Sequence, residues 1–128
     1  MDMHTGTTIT QIRSVAINVE DQDRALDFYV GTLGFEVRID TGPGPAGRWI
    51  EIAPPVGATT IALIATPEPG HAGGDTGIRL TAAEVASDHA ALRTAGVDVD
   101  PQVSHWPGVP PMFSLRDPEG NTLYVLEG

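Results

Sequence analysis

Apolar and polar residues alternate in short stretches along most of the chain, which predicts β-strands. In the first stretch, Ile12–Val19, the apolar residues Val15, Ile17 and Val19 alternate with small or polar ones, so one face of the strand is expected to be buried. Seven further stretches are typical of strands: Phe35–Ile39, Trp49–Ile52, Thr60–Ala65, Gly77–Leu80, Val97–Val99, Met112–Leu115 and Thr122–Leu126. The pattern therefore predicts eight strands.

After the first strand the spacing of the apolar residues changes to that of an amphipathic helix. Positions i, i+3, i+4 and i+7 of this segment are Leu26, Tyr29, Val30 and Leu33. Asp21 is the expected N-cap, and Gly34 is the expected stop.

A second helix is predicted in the other half of the chain. Thr81 and Glu84 have the spacing of a capping box, and Gly96 follows as a stop signal. Between Glu84 and Gly96, one face of the predicted helix carries Val85, His89 and Leu92. We expect His89 to be a packing residue with its hydrogen bonds satisfied.

The order strand, helix and three strands occurs twice, which indicates an internal repeat. The helix-to-strand junctions 33–37 and 95–99 correspond closely. Residues 66–75 are rich in proline and glycine and predict a linker, and the similar stretch 42–47 predicts a loop. We expect one domain over 1–128, with module 1 at about 9–65 and module 2 at about 76–127.

The charge of the chain restricts its partners. The 128 residues include 17 acidic and seven basic ones, for a formal charge of −10. Such a surface repels nucleic acid and anionic membranes. The chain has no cysteine, and its apolar stretches are too short to span a bilayer. We expect a cytoplasmic protein that binds neither nucleic acid nor membrane.

Three short motifs occur in a fixed order around the repeat. Asp-x-x-x-Ala-Leu-x-Phe-Tyr starts the first helix at 21–29, Leu-Gly-Phe follows at 33–35, and Arg-Asp-Pro-Glu-Gly-Asn forms a turn at 116–121. In this combination the chain resembles the vicinal oxygen chelate superfamily, which includes glyoxalase I, extradiol dioxygenases, fosfomycin resistance enzymes and bleomycin-binding proteins. The resemblance covers residues 9–127.

The resemblance implies an α+β fold in which two βαβββ modules form a curved mixed sheet with helices on the convex face. It also places the usual metal ligands of the family at Ser14, Gly77 and Tyr124. Gly77 has no side chain, Ser14 is a weak neutral ligand, and Tyr124 is protonated at neutral pH. We therefore expect neither a metal ion nor another cofactor at this site.

Strand parity indicates what replaces the metal ligands, because successive residues point to opposite faces of a sheet. Asn18, Arg79 and Tyr124 share faces with the empty ligand positions and are expected to line the concave site. Arg79 can bind an anionic group of a ligand, or it forms an ion pair with Glu51 or a loop aspartate. Tyr124 can donate to a ligand carbonyl, or it fills the volume that the metal leaves.

Two aromatic segments complete the predicted site. Trp49 and Glu51 share one face of a strand, and Ile50 and Ile52 suit the core better, so we expect the first pair on the concave face. There Trp49 is a stacking platform, and Glu51 is a base, a cation partner or a displaced metal ligand. The loop that contains His105 and Trp106 either closes the mouth of the pocket or covers a sheet edge.

Two classes of function are compatible with these residues. The first is a small-molecule-binding protein without a metal, which sequesters a natural product or antibiotic. The second is a lyase, isomerase or dioxygenase that uses relocated ligands such as Glu51 and His105, or acid–base catalysis without a metal. Because an open curved sheet leaves strand edges free, we also expect a homodimer.

Overall fold

Two consecutive modules of one strand, one helical segment and three strands make up the structure, a computed structural model that describes residues 5–43, 47–66, 68 and 70–128. Module 1 contains β1 (Ser14–Val19), α1 (Gln22–Leu26) with a π-helical continuation (Asp27–Thr32), β2 (Glu36–Asp40), β3 (Ile50–Ala53) and β4 (Thr60–Ala65). Module 2 contains β5 (Gly74–Ala82), α2 (Val85–Thr94), β6 (Asp98–Val99), β7 (Met112–Arg116) and β8 (Asn121–Glu127). The predicted repeat is confirmed. Part of the predicted loop, 44–46, and residues 67 and 69 of the predicted linker lie outside the described residues.

The strands form two four-stranded mixed sheets, which confirms the α+β fold. Sheet A has the order β1-β4-β3-β2, and sheet B has the order β5-β8-β7-β6. One continuous eight-stranded sheet was expected, but β1 and β5 each end their own sheet. A cleft of about 510 Å³, bordered by β1, β4 and β5, separates these two edges, so the edges form no ladder with each other.

One hydrophobic core joins both sheets and both helical segments. Sheet A contributes apolar side chains from β1, β3 and β4, and sheet B contributes them from β7 and β8. The largest of these buried side chains are Tyr29, Phe113, Ile17, Ile50, Ile52, Leu63, Leu115 and Leu123. In β1, β7 and β8 they occur at every second position, so the predicted alternation is confirmed. The other side of each sheet, its open face, points away from this core.

The first helix begins and ends where the sequence predicts. The Asp21 carboxylate accepts a hydrogen bond from the Arg24 amide at 3.0 Å, and Gly34 adopts a positive φ of 80°. After Leu26, however, the segment becomes π-helical. The Leu33 amide donates to the carbonyl of Phe28, five residues earlier, at 3.0 Å.

The second helix has a different cap from the predicted one. Thr81 belongs to β5, so the expected Thr81–Glu84 capping box is wrong. The Val85 amide instead donates to the Glu127 carboxylate of β8 at 3.1 Å. Gly96 has a positive φ of 85° and ends the helix as predicted. In the part of the chain that the structure describes, no helix has the length and apolarity needed to cross a membrane.

His89 of α2 is a packing residue, as predicted. Its Nε2 lies 2.6 Å from the Asp100 carbonyl oxygen. Its ring packs edge-on against Phe113, with 5.1 Å between the ring centroids. The side chain therefore joins α2 to sheet B.

The Asp117–Asn121 turn connects the two modules. The buried Asp117 carboxylate accepts from the Tyr29 hydroxyl at 2.8 Å and from the Asn121 side-chain amide at 2.9 Å. The same amide reaches the Asn18 carbonyl at 3.1 Å, and the Glu119 carboxylate accepts from the backbone amides of residues 20 and 21. Burial, with the adjacent Asp117 charge, raises the pKa of Tyr29 far above its ordinary value, so its hydroxyl stays a donor.

Candidate functional site

The open face of sheet B carries Arg79 and Tyr124 side by side. In the register of the strands, Arg79 of β5 pairs with Tyr124 of β8, and Tyr124 pairs with Ser114 of β7. The residues on either side of Tyr124, Leu123 and Val125, are buried in the core. Strand parity therefore predicted this arrangement correctly.

Tyr124 is held by a carboxylate and a cation. Its hydroxyl donates to the Asp75 carboxylate at 2.6 Å, and the Arg79 guanidinium carbon lies 5.6 Å from its ring centroid. The hydrogen bond from Tyr124 lowers the pKa of Asp75, and the same bond raises the pKa of Tyr124. The pair is therefore an anionic carboxylate and a neutral phenol at neutral pH.

Arg79 is exposed and lines the cleft between β1 and β5. Its Nη1 donates to the Gly77 carbonyl at 2.9 Å. Among residues 5–43, 47–66, 68 and 70–128, no carboxylate oxygen lies within 4.0 Å of the guanidinium. The alternative of an ion pair with Glu51 or with a loop aspartate is therefore absent within this distance, although the charge of Arg79 contributes to the lowered pKa of Asp75. A guanidinium has five N–H donors, so Arg79 has donors left for a ligand.

A second polar network is fixed on the same open face. Asp100 accepts from the Ser114 amide and hydroxyl at 2.8 and 2.7 Å, and from Arg116 at 2.9 Å. Arg116 also pairs with Asp98 at 3.0 Å. Burial opposes ionisation of Asp100, but these hydrogen bonds outweigh it, and the pKa of Asp100 lies below its ordinary value.

The open face of sheet A carries Trp49 and Glu51. Ile50 and Ile52 are in the core, so the predicted orientation of β3 is confirmed. Across the sheet, Glu51 pairs with Ala62 of β4. Trp49 is 45% exposed, whereas Glu51 is only 2% exposed.

Three donors surround the Glu51 carboxylate. The Thr60 hydroxyl donates to Oε1 at 2.7 Å, the Trp49 indole to Oε2 at 2.7 Å, and the Arg13 guanidinium to Oε2 at 3.3 Å. The bonds from Thr60 and Trp49, followed by the one from Arg13, lower the pKa of Glu51 although burial opposes this. A carboxylate with a depressed pKa is a poor general base, which disfavours that role for Glu51.

The Glu51 network predicts a pH dependence of stability. A carboxyl whose pKa is lowered by folding stabilises the protein above its unfolded-state pKa, near 4.5, and loses this contribution as the pH falls through the folded-state pKa. From neutral pH to about pH 3, the free energy of unfolding should therefore fall more in the wild type than in Glu51→Gln. Urea denaturation over this range measures the difference. The exposed control Glu20→Gln should follow the wild type, and parallel curves for wild type and Glu51→Gln would contradict the prediction.

The remaining predicted site residues are exposed. Asn18 lies on the open face of β1, and its carbonyl accepts from the module junction. His105 and the 64% exposed Trp106 lie in a loop that a Ser104–Met112 bridge closes. Because Met112 pairs with Leu126 on the open side of sheet B, the loop stands at one end of that face. The role of this loop at a pocket mouth stays a prediction, as does ligand binding by the other five residues.

The residues at the expected metal positions do not suit a metal ion. Gly77 supplies no side chain, and Tyr124 is protonated and already bonded to Asp75. Within the described ranges, no group of three or more His, Asp or Glu side chains is arranged to hold a metal. The relocated set that includes Glu51 and His105 therefore finds no support among these residues.

The predicted residues fall into two clusters rather than one pocket. Arg79 and Tyr124 lie on sheet B, Trp49 and Glu51 on sheet A, and no hydrogen bond or ion pair among the described residues joins the two pairs. Sequence reasoning missed the partners that complete each cluster. These are Arg13 and Thr60 beside Glu51 on sheet A, and Asp75 beside Tyr124 on sheet B. The strand predicted from Ile12 begins only at Ser14, so Arg13 precedes β1 and strand parity does not apply to it. Its partner Glu51 is 38 residues away.

Comparison with known proteins agrees with this fold. The family sequence model that describes the glyoxalase/bleomycin resistance protein/dioxygenase superfamily matches residues 11–125 of this chain. Protein YetH of Bacillus subtilis (strain 168) is 30% identical over 124 residues, which are 93% of this chain and 99% of YetH.

Two solved structures are similar over nearly their whole length. TnmS3, an antibiotic binding protein from Streptomyces sp. CB03234, has 32% identity and a TM-score of 0.82, with 94% of this chain and 98% of TnmS3 covered. A member of the glyoxalase/bleomycin resistance protein/dioxygenase superfamily from Sphaerobacter thermophilus DSM 20745 has 32% identity and a TM-score of 0.87. The match covers 95% of this chain and 100% of that protein. With two βαβββ modules and a family match over most of its length, the chain belongs to the glyoxalase/bleomycin resistance protein/dioxygenase superfamily.

Proposed function

We propose that this chain binds a small molecule without a metal ion and sequesters a natural product or antibiotic. The observation that carries the proposal is the state of Tyr124. At the position expected for a metal ligand, its hydroxyl is bonded to Asp75 and its ring lies beside Arg79, and Arg79 in turn lines an open cleft. This arrangement presents an aromatic ring and a guanidinium, which are groups that recognise organic ligands.

The chemistry of the two open faces supports the same class of ligand. Arg79 provides charged donors without a carboxylate within 4.0 Å in the described chain, which suits a carboxylate, phenolate or similar anionic group. Trp49 provides a half-exposed indole on which a flat ring can stack. TnmS3, at 32% identity, is described as an antibiotic binding protein, and this also favours sequestration.

The test is a screen of aromatic natural products that carry an acidic group, followed by titration calorimetry. Arg79→Ala should weaken a ligand found in this way by about 1.5–3 kcal/mol, the range for a hydrogen bond to a charged group. The control Arg93→Ala removes an equal charge from α2, where Arg93 donates to the Pro101 carbonyl, and should leave affinity nearly unchanged. Equal affinity of the wild type and Arg79→Ala would contradict this site.

We further propose that the protein is a homodimer in which each pocket draws residues from both chains. β1 and β5 are terminal strands whose outer edges pair with no other strand among the described residues. Ile9, Ile12 and Val56 are 83%, 70% and 98% exposed. Pairing would place sheet A of one chain against sheet B of the other and unite the two clusters. Sedimentation equilibrium should give twice the chain mass of 13.5 kDa, and a mass of one chain at micromolar concentration would contradict the dimer.

A further inference from the structure

Glu51 is a buried carboxylate whose cationic partner is itself exposed. The Glu51 side chain is 2% exposed, whereas the side chain of Arg13 is 72% exposed. The two meet through one contact of 3.3 Å between Arg13 Nη2 and Glu51 Oε2. The carboxylate is thus held in place by neutral donors, Thr60 and Trp49, at 2.7 Å each, and the cation adds to a site that is already formed.

The contact with Arg13 is weak by its geometry. An ion pair with one largely exposed member contributes little, because water screens the attraction and the long side chain loses freedom when it is held. The backbone of Arg13 is held separately, because its carbonyl accepts from the Thr60 amide at 3.0 Å. The guanidinium can therefore leave Glu51 while the start of β1 stays in place.

The surroundings of Glu51 suit a flat cation. The Trp49 indole is 45% exposed, and its Nε1 touches the same carboxylate oxygen as Arg13 does. Beside Glu51 across the sheet are Ala62 and then Ala16, so small side chains border the carboxylate. An aromatic face next to a carboxylate recognises ammonium and guanidinium groups, and the net charge of −10 attracts cations over a longer range.

We infer that Glu51 and Trp49 form a subsite for the cationic nitrogen of a flat aromatic ligand, and that Arg13 occupies this subsite when the ligand is absent. The inference rests on the proposed small-molecule function and specifies the ligand class of one half of the site. The ligand cation would displace the Arg13 guanidinium from Oε2 and stack its ring on Trp49. Arg79, on the other sheet, would take an anionic group of the same or another ligand.

Two probes of the same ring system test the inference: 9-aminoacridine, which is cationic at neutral pH, and acridine, which is neutral. Titration calorimetry with the wild type should show tighter binding of the cation. Arg13→Gln should raise the affinity for 9-aminoacridine by up to about fivefold, because the ligand no longer has to break the weak Arg13–Glu51 ion pair. The affinity for acridine should not change. Glu51→Gln should weaken 9-aminoacridine by tenfold or more and acridine by less than twofold.

The control Arg93→Gln changes the net charge as Arg13→Gln does, but at α2. If both variants alter 9-aminoacridine binding equally, long-range charge accounts for the effect and the subsite is wrong. Because Arg13 is exposed, its variant keeps the test valid even if Glu51→Gln fails to fold. Equal binding of both probes by the wild type, or binding of neither, would overturn the inference alone. The proposed function would be contradicted only if the screen of natural products also found no ligand.

Discussion

Replacement of Asp117 by alanine should lower the free energy of unfolding by about 2–4 kcal/mol, because several donors lose their acceptor in a buried place. The carboxylate is 5% exposed and accepts from the Tyr29 hydroxyl, the Asn121 side chain and the backbone amides of Glu119 and Asn121, all at 2.8–2.9 Å. The bond from Tyr29 connects module 2 to the helical segment of module 1, and the other three hold the turn itself in shape. Urea denaturation at neutral pH measures the effect.

A partial variant and a control variant define the range in which the effect of Asp117→Ala is compared. Tyr29→Phe removes one of the four bonds and keeps the ring, so its effect should be about 1–3 kcal/mol and smaller than that of Asp117→Ala. Asp88→Ala removes an exposed carboxylate from α2 and should change stability by less than about 0.5 kcal/mol. An effect of Asp117→Ala as small as that of Asp88→Ala would show that the junction does not hold the modules together.

Phe113→Ala should have the largest effect on stability, about 3–5 kcal/mol, since it removes a large ring from the core. Phe113 is 1% exposed and packs against His89, so the loss also weakens the attachment of α2 to sheet B. It borders a cavity of about 340 Å³ between the modules, which the substitution would enlarge. Thermal and urea denaturation measure the loss.

Trp106→Ala is the matched control, because it also removes a large aromatic side chain. Trp106 is 64% exposed, and its removal should change stability by less than about 0.5 kcal/mol. Phe113→Leu keeps most of the buried volume and should cost less than Phe113→Ala. Similar losses for Trp106→Ala and Phe113→Ala would contradict the assignment of Phe113 to a shared core.

Local patterns in the sequence predicted most of the fold. Alternation identified the strands. It placed Arg79 and Tyr124 together on the open face of sheet B, and it placed Ile50 and Ile52 on the core face of sheet A. Asp21 and Gly34 marked the ends of the first helix for equally local reasons, a side-chain cap and a positive φ. These features depend on neighbours within a few residues, so a single sequence contains them.

Partners that are distant along the chain could not be predicted in this way. Tyr124 bonds to Asp75 across 49 residues, Glu51 meets Arg13 across 38, and Glu127 caps α2 from 42 residues away. The expected Thr81–Glu84 capping box had the correct local spacing and was still wrong, because β5 continues through Thr81. Strand pairing competed with the local cap and determined the conformation of Thr81.

Residue patterns along the chain were enough to identify the two βαβββ modules and the residues on each face of their strands, and the residue types of Ser14, Gly77 and Tyr124 were enough to make them poor metal ligands. The folded structure was needed to show that the strands form two sheets around one core, and that Arg79 and Glu51 lie in separate clusters with their own partners. The difference comes from the range of the interactions. The face that a side chain occupies follows from the two-residue period of a strand, whereas the neighbour that it meets depends on how distant segments pack together.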